Sequence, residues 1–219
     1  MKGIARILLM PVLLGLVACA PGPGSWPDQY RLQSPSPPPS AKNTKRTRSG
    51  GILRVAPVTG PFATNRQTID YTLSYASPNQ VSAYSKARWT APPERMIGSA
   101  LRSCLAESGR WKAVIGPENQ SEADWTLEFD LDKLLQVFPR PDNSFALLQG
   151  QADLRHTATN RLVAQREFSY RIPAPGADVQ AGVSAFNRAI TKLCGDLGDW
   201  LGPLTARRKD AGGGEQDMD

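Results

Sequence analysis

Three carboxylates spaced two residues apart are the side chains in this sequence best arranged for chemistry. Glu128, Asp130 and Asp132 alternate with apolar residues, so a strand would place all three on one face. Neighbours on one face of a strand stand about 6.5–7 Å apart, and a carboxylate pair at such a distance can serve as acid and base in glycoside hydrolysis. The stripe can also bind calcium, or keep the outer face of an antiparallel strand in water. The last interpretation is favoured, because alternating charge is the usual pattern of such a face.

The chain contains few residues that could serve as a catalytic nucleophile, its base or a metal ligand. His156 is the single histidine and lies beside a predicted turn, so a histidine-centred triad would depend on it. No histidine and cysteine set has the spacing of a zinc site, and no glycine-rich phosphate loop occurs. We therefore predict a binding or assembly protein that is not an enzyme and uses no metal or cofactor.

The first residues predict export. Lys2 and Arg6 accompany an apolar run from Ile7 to Val17, whose length of about eleven residues falls short of the ~20 that cross a bilayer as a helix. The run leads into Leu16-Val17-Ala18-Cys19. A small residue before a cysteine at this point is typical of the lipobox of bacterial lipoproteins.

In such proteins the cysteine thiol takes a diacylglycerol and the peptide before it is removed. Cys19 is therefore the predicted lipidation site, with residues 1–18 as the signal peptide. The alternative is a plain signal peptide cleaved after Ala18 or Ala20. Several acyl chains anchor a protein far more firmly than one. We expect an anchored domain that faces the periplasm, with the neutral Ala20 favouring the outer membrane.

Cys104 and Cys194 are the cysteines that remain once Cys19 is lipidated. An oxidising periplasm permits a disulfide between them, which would stabilise the fold by roughly 4–5 kcal/mol through its long loop. Both fall on the apolar sides of predicted helices, so two buried free thiols are an open alternative.

Composition divides the mature chain into three parts. Residues 19–50 carry the lipidated cysteine and a proline-rich tether with basic residues at its far end, within which Tyr30-Arg31-Leu32 is the one stretch that could dock on the domain. Residues 51–201 are predicted to form the folded domain, and the composition of residues 202–219 predicts a disordered tail. The formal charge of +6 is too modest, and too concentrated in the tether, to indicate nucleic-acid binding.

Hydrophobic periodicity predicts one α+β domain, in which a mainly antiparallel sheet carries two amphipathic helices on one face. We expect a helix that follows Pro92-Pro93 with Thr90 as its N-cap, and a longer one over about 178–201. The phase of the long strand that begins at Trp125 breaks near Lys133, which predicts a bulge. The strands are expected over 52–58, 68–75, 81–89, 111–115, from 125, 145–155 and 162–172, with Tyr75 and Leu162 among the inward residues.

Short motifs spread over residues 30–201 carry a family resemblance. They are Tyr30-Arg31-Leu32, Leu53-Arg54-Val55-Ala56-Pro57, Ile69-Asp70-Tyr71, Tyr84 with Ala87-Arg88-Trp89-Thr90-Ala91-Pro92-Pro93, and Ala185-Phe186-Asn187-Arg188-Ala189 with Leu197 and Trp200. Together with the lipobox, this combination resembles the ABC-type transport auxiliary lipoproteins, a group that includes the lipoprotein of the paraquat-inducible intermembrane transport system. The long basic tether and the inward cysteine pair depart from the usual pattern of that family.

The resemblance implies an outer-membrane lipoprotein that works with an ABC permease, its ATPase and a mammalian-cell-entry-type substrate-binding protein to move lipids between membranes. A homo-oligomeric ring is one form that it could take. Tyr84 and Arg88 are candidate interface residues, since aromatics and arginine are enriched at hot spots, whereas core packing is favoured for Trp89. The alternatives are a lipoprotein that activates a cell-wall synthase or assists lipopolysaccharide assembly, and a periplasmic hydrolase, for which the carboxylate stripe would need a concave site.

Overall fold

The computed structural model describes residues 26–33, 50–60 and 66–206. Cys19, residues 1–18, most of the predicted tether and the residues from 207 onward lie outside these ranges. The described part contains β1 (Asp28–Tyr30), β2 (Ile52–Val55), β3 (Thr68–Leu73), β4 (Ser82–Trp89), α1 (Pro93–Glu107), β5 (Ala113–Ile115), β6 (Trp125–Arg140), β7 (Asn143–His156), β8 (Arg161–Pro173) and α2 (Val179–Ala206).

The long strand β6 organises the sheet. On one side it pairs with β7 in antiparallel fashion along most of its length, and β7 pairs with β8 in the same way. Its other side is shared, because β2 pairs in parallel with the first half of β6 and β3 with the second half. The short β5 joins β2, β4 joins β3, and β1 joins β4. The predicted α+β class with two helices on one face is confirmed. The predicted mainly antiparallel sheet is a mixed one, in which the longest pairings, β6 with β7 and β7 with β8, are antiparallel.

A bulge at Asp132 reverses the inward phase of β6. Leu131 pairs with Gly150 and Lys133 with Gln149, which leaves Asp132 without an opposite residue. Gly150 is required here, since a Cβ at this position would collide with the carbonyl oxygen of Asp130. The predicted phase break is thus confirmed, and the inward residues are Trp125, Leu127, Phe129 and Leu131 before the bulge and Leu134 and Gln136 after it.

The two helices cover the same side of the sheet with their apolar stripes. Trp89 is buried and meets the Phe186 ring edge-on at 5.8 Å between ring centroids, so the interpretation of Trp89 as core packing is confirmed. None of the helices in the described ranges is long and apolar enough to cross a membrane. The buried stripes are Met96, Ile97, Ala100, Leu101 and Leu105 on α1, and Val183, Phe186, Ile190, Leu193, Leu197 and Leu201 on α2.

The helix ends differ from the prediction in two respects. Pro92, and not Thr90, is the N-cap residue of α1, because the carbonyl of Pro92 accepts the first helical hydrogen bonds. The second helix begins where Asp178 caps it by accepting a hydrogen bond from the Ala181 N–H at 2.7 Å. It then continues to Ala206, beyond the predicted end at 201.

Two residues predicted to face inward are exposed. Tyr75 is 48% exposed because β3 ends at Leu73, which places Tyr75 in the following turn. Leu162 is 43% exposed because a register shift skips Val163 and turns the start of β8 to the other face. The strand prediction is therefore correct at Leu162, where a local irregularity changes the face, but it extends two residues too far at Tyr75.

The segment around Tyr30 is part of the fold. Asp28–Tyr30 adds β1 to the sheet edge, the Thr90 N–H donates to the Tyr30 carbonyl at 2.8 Å, and Leu32 is buried in the core. The Gln33 N–H also donates to the Asn187 side chain on α2 at 2.8 Å. The docking proposed for this stretch is therefore confirmed, and the folded part begins inside the range assigned to the tether.

Candidate functional site

The carboxylate stripe lies on the open face of β6, opposite the helices. Glu128 accepts a hydrogen bond from the Arg155 guanidinium at 2.9 Å, and Asp153 lies 3.9 Å from the same group. Desolvation, followed by repulsion from Asp153, raises the pKa of Asp130. The bulge takes Asp132 out of the regular row. This arrangement is an ion-pair network on an exposed sheet, where water reaches every carboxylate.

His156 is held by local packing at the end of β7. Its Nδ1 lies 3.1 Å from the Thr159 hydroxyl, and its ring meets the Trp125 ring edge-on at 5.5 Å. These contacts tie the turn between β7 and β8 to the start of β6. Within residues 26–33, 50–60 and 66–206, no three acidic, histidine or cysteine side chains gather as metal ligands would.

Cys104 on α1 and Cys194 on α2 are joined by a disulfide in the structure. Their Cα atoms are 6.1 Å apart, within the usual range for this bond. The bond links the two helices across their apolar faces, where Cys194 is buried. The oxidation of this pair in the native protein is a prediction.

Tyr84, one of the candidate interface residues, is engaged inside the domain. Its hydroxyl donates to Gln136 Oε1 at 3.0 Å, and its ring lies 4.7 Å from the Tyr71 ring. Gln136 is fully buried, and its amide donates to Ser144 Oγ at 2.8 Å and to the Asp178 carbonyl at 3.0 Å. Burial raises the pKa of Tyr84 to about 12, which keeps the phenol protonated. This network joins β4, β6 and β7 to the start of α2.

Arg88, the second candidate, lies on β4 beside the edge strand β1. It is partly buried, and its Nε has no hydrogen-bond partner in the described part of the chain. An unsatisfied buried donor is unusual in a folded protein. The Nε donor of Arg88 is therefore unsatisfied within the described residues, whereas the Tyr84 hydroxyl donates to Gln136.

Two open grooves flank the exposed side of α1, and sequence reasoning did not find them. The first encloses about 1020 Å³ between α1 and the segments 56–60 and 116–119, and the second about 720 Å³ beside Arg31 and Leu32. Arg95 and Arg102 line both grooves. Their spacing of seven residues, two turns along one face of α1, is the signal that could have revealed them. Glu94 and Glu118 also line the first groove, so its charge is mixed.

A known protein family matches most of the folded domain. The family model described as the ABC-type transport auxiliary lipoprotein component matches residues 30–198, from the end of β1 to the last part of α2. The chain belongs to the ABC-type transport auxiliary lipoprotein family. Membership places this auxiliary lipoprotein among the envelope lipoproteins associated with ABC-type transport systems. The predicted family is thereby confirmed.

Solved structures share the fold of the auxiliary lipoprotein. The crystal structure of protein XCC0632 from Xanthomonas campestris, of the DUF330 family, matches with a TM-score of 0.72 and 21% identity, over 83% of this chain and 98% of that one. A crystal structure of an uncharacterized protein matches with a TM-score of 0.62 and 14% identity, over 80% of this chain and 99% of that one. Comparison with curated proteins finds no match.

Proposed function

We propose that Cys19 anchors this auxiliary lipoprotein in the outer membrane, where the domain faces the periplasm. It serves an ABC permease, its ATPase and a mammalian-cell-entry-type substrate-binding protein as a non-enzymatic docking component of intermembrane lipid transport. The observation that carries this proposal is the family match over residues 30–198, which accounts for nearly all of the folded part behind a lipobox.

The geometry supports docking better than catalysis. The carboxylates that could act as acid and base stand on an open sheet face, where Arg155 engages Glu128. Glycoside hydrolysis needs its two carboxyls on either side of a bound sugar, and a flat strand face holds no sugar between them. A buried amide network joins the strands of the domain to the start of α2, which suits a part that positions other proteins.

Arg88 remains our candidate for the partner interface. Its side chain is only partly buried beside the edge strand β1, so a folded Arg88→Ala variant should bind the transport complex at least tenfold more weakly, as expected for a hot-spot arginine. Arg161→Ala, at the exposed start of β8 on another edge, is the matched control and should bind normally. Undiminished affinity of the Arg88 variant would remove this residue from the interface.

Co-purification tests the assignment itself. The tagged full chain is isolated from its own cells in a mild detergent, and the proteins that accompany it are identified by mass spectrometry. We expect a mammalian-cell-entry-type protein with its permease and ATPase. Recovery of a peptidoglycan synthase or a lipopolysaccharide-assembly barrel in their place would overturn the transport assignment and support the cell-envelope alternative. Size measurement of the same preparation tests whether the lipoprotein forms a homo-oligomer.

A further inference from the structure

The hairpin between β3 and β4 ends in an uncharged tip, which comprises residues 74–81. Residues 71–85 include no aspartate, glutamate, lysine or arginine, although 21% of the chain is charged. Tyr75 and Val81 stand at this tip with 48% and 59% of their surfaces exposed. They are two of the four large apolar side chains that are exposed in the described residues.

The tip has a defined backbone. The N–H groups of Ala76 and Ser77 both donate to the Leu73 carbonyl, and the Gln80 N–H donates to the Ser77 carbonyl. Ser74 Oγ also donates to the Phe138 carbonyl at 3.0 Å, which fixes the tip beside the end of β6. Tyr75 and Val81 are thus presented to the outside by an ordered turn.

The chain enters the domain from the side of this tip. β4 runs away from the tip, and β1 pairs with it in parallel, Asp28 opposite Ala87 and Tyr30 opposite Trp89. The residues that precede Asp28 therefore lead back toward the tip. Trp26, the most exposed large apolar residue of the described part at 86%, lies on this path.

Chain length then limits how far the tip can stand from the anchor. Trp26 lies seven positions after Cys19, and this length of chain reaches at most about 25 Å when fully extended. Val81 lies six strand positions before Ala87, which pairs with Asp28, and Trp26 lies two positions before Asp28. The tip therefore extends four positions, or about 13 Å, beyond Trp26. A membrane surface at Cys19 is consequently within roughly 10 Å of the tip when β4 stands upright on it.

Side chains around the tip suit a lipid headgroup layer. Lys86 is exposed further along β4, and Arg140 is exposed at the end of β6, two residues after Phe138. Cations near a membrane surface are attracted to anionic lipids by about 1 kcal/mol each. Asp142, in the turn after β6, is acidic and exposed, and it opposes part of this attraction. Tyrosine and tryptophan favour the interface because they combine an apolar ring with a polar group.

We propose that the β3–β4 tip is a membrane-contacting surface, with Tyr75 and Val81 inserted at the lipid interface beside the anchor. The inference rests on the lipid anchor in the proposed function and adds an orientation to it. The end of the sheet at which β6 begins then points away from the membrane. The occupant of the tip is lipid, and a protein partner at the tip is an outcome that the test must exclude.

Tryptophan quenching by brominated lipids measures this contact. The lipidated full chain is incorporated into vesicles of phosphatidylethanolamine and phosphatidylglycerol, with or without bromine on the acyl chains. Tyr75→Trp adds a reporter at the tip, and Gln120→Trp adds a matched one in the exposed loop before β6, about 40 Å away. The signal is the intensity that each variant adds over the wild-type protein, with circular dichroism as the check on folding.

We expect brominated lipid to quench the added intensity of Tyr75→Trp and to leave that of Gln120→Trp unchanged. Equal quenching of the two reporters, or quenching of neither, would overturn the proposed contact. Flotation of the native chain with vesicles, compared with Cys19→Ser, tests the anchor separately. Should the native chain fail to float, the anchor proposal fails, and a chain with hexahistidine in place of Cys19 on nickel-chelating lipid still tests the tip.

Discussion

At the scale of single residues, Gln136 shows how a polar side chain can hold this fold together. Its amide is fully buried, yet each of its described polar contacts is made by a side chain or carbonyl from another element. Buried polar groups that are fully bonded specify one arrangement of the elements around them. The sequence signal for this role was absent, because a glutamine in a strand usually faces water.

Tyr84→Phe removes one bond of this network. The phenylalanine ring keeps the packing on Tyr71 but leaves Gln136 Oε1 without its donor at 3.0 Å. We expect the free energy of unfolding to fall by about 1–3 kcal/mol, the usual cost of an unsatisfied buried acceptor. Urea unfolding measures it, with Tyr75→Phe at the exposed tip as the control that should change little. Equal stability of both variants would show that Gln136 finds another partner.

The same tyrosine predicts a dependence on alkaline pH. Burial raises the pKa of Tyr84 from 10.0 to about 12, so the folded state holds the phenol proton more tightly than the unfolded state does. The stabilisation is complete below pH 10 and is lost as pH rises through 12. Between pH 10 and 12 we therefore expect wild-type stability to fall more steeply than that of Tyr84→Phe. Parallel curves for the two proteins would contradict the raised pKa.

At the scale of elements, two glycines of α2 allow a comparison of packing with helix propensity. Gly195 has open space around it, whereas a Cβ at Gly182 would collide with Gln136 Oε1. Alanine is favoured over glycine in a helix by about 1 kcal/mol. Gly195→Ala should therefore raise the free energy of unfolding by up to this amount. Gly182→Ala should lower it by about 1–3 kcal/mol through overpacking. Stabilisation by both substitutions would show that the contact of α2 with Gln136 is loose.

The link between α1 and α2 gives a second prediction at this scale. The Cα atoms of Cys104 and Cys194 stand close enough for a disulfide, and the bond closes a loop across 90 positions. A thiol count on denatured, unreduced Cys19→Ser protein should find no free thiol. The further change of both residues to alanine should cost about 2–5 kcal/mol. Two titratable thiols would establish the alternative of a reduced, buried pair.

At the scale of the whole molecule, β1 shortens the part of the N-terminal segment that can act as a tether. A tether over residues 19–50 would hold the domain tens of ångströms from the membrane, but β1 ties residues 28–30 to the sheet edge. The reach between the anchor and the fold is then set by the few residues after Cys19. Residues 34–49 lie outside the described ranges and connect two points that are both fixed on the domain.

Sorting of the whole lipoprotein depends on the residue after the anchor. In lipoproteins of this kind an aspartate after the lipidated cysteine favours the inner membrane, whereas the neutral Ala20 is expected to permit export to the outer membrane. We expect Ala20→Asp to move the protein to the inner-membrane fraction of a density gradient, with Ala20→Ser as a neutral control. An unchanged distribution would contradict outer-membrane sorting through this position.

The sequence by itself determined the class of the fold, the family and the position of the two helices. These follow from local causes: periodicity sets which stretches become strand or helix, and the Pro92-Pro93 pair and Gly109 mark the ends of α1. The cysteine pair and the docking stretch at Tyr30 were also found this way, because their residue types contrast with their surroundings.

Only the tertiary structure decided which face each residue occupies and which residues meet. The bulge at Asp132 and the skipped Val163 shift the phase of their strands by one residue, and a shift of one residue turns every later side chain to the opposite face. The parallel pairing of β2 and β3 with β6 joins segments far apart in sequence, and so does the contact of Tyr84 with Gln136. Such long-range pairings depend on the packing of the whole chain, and no local pattern encodes them.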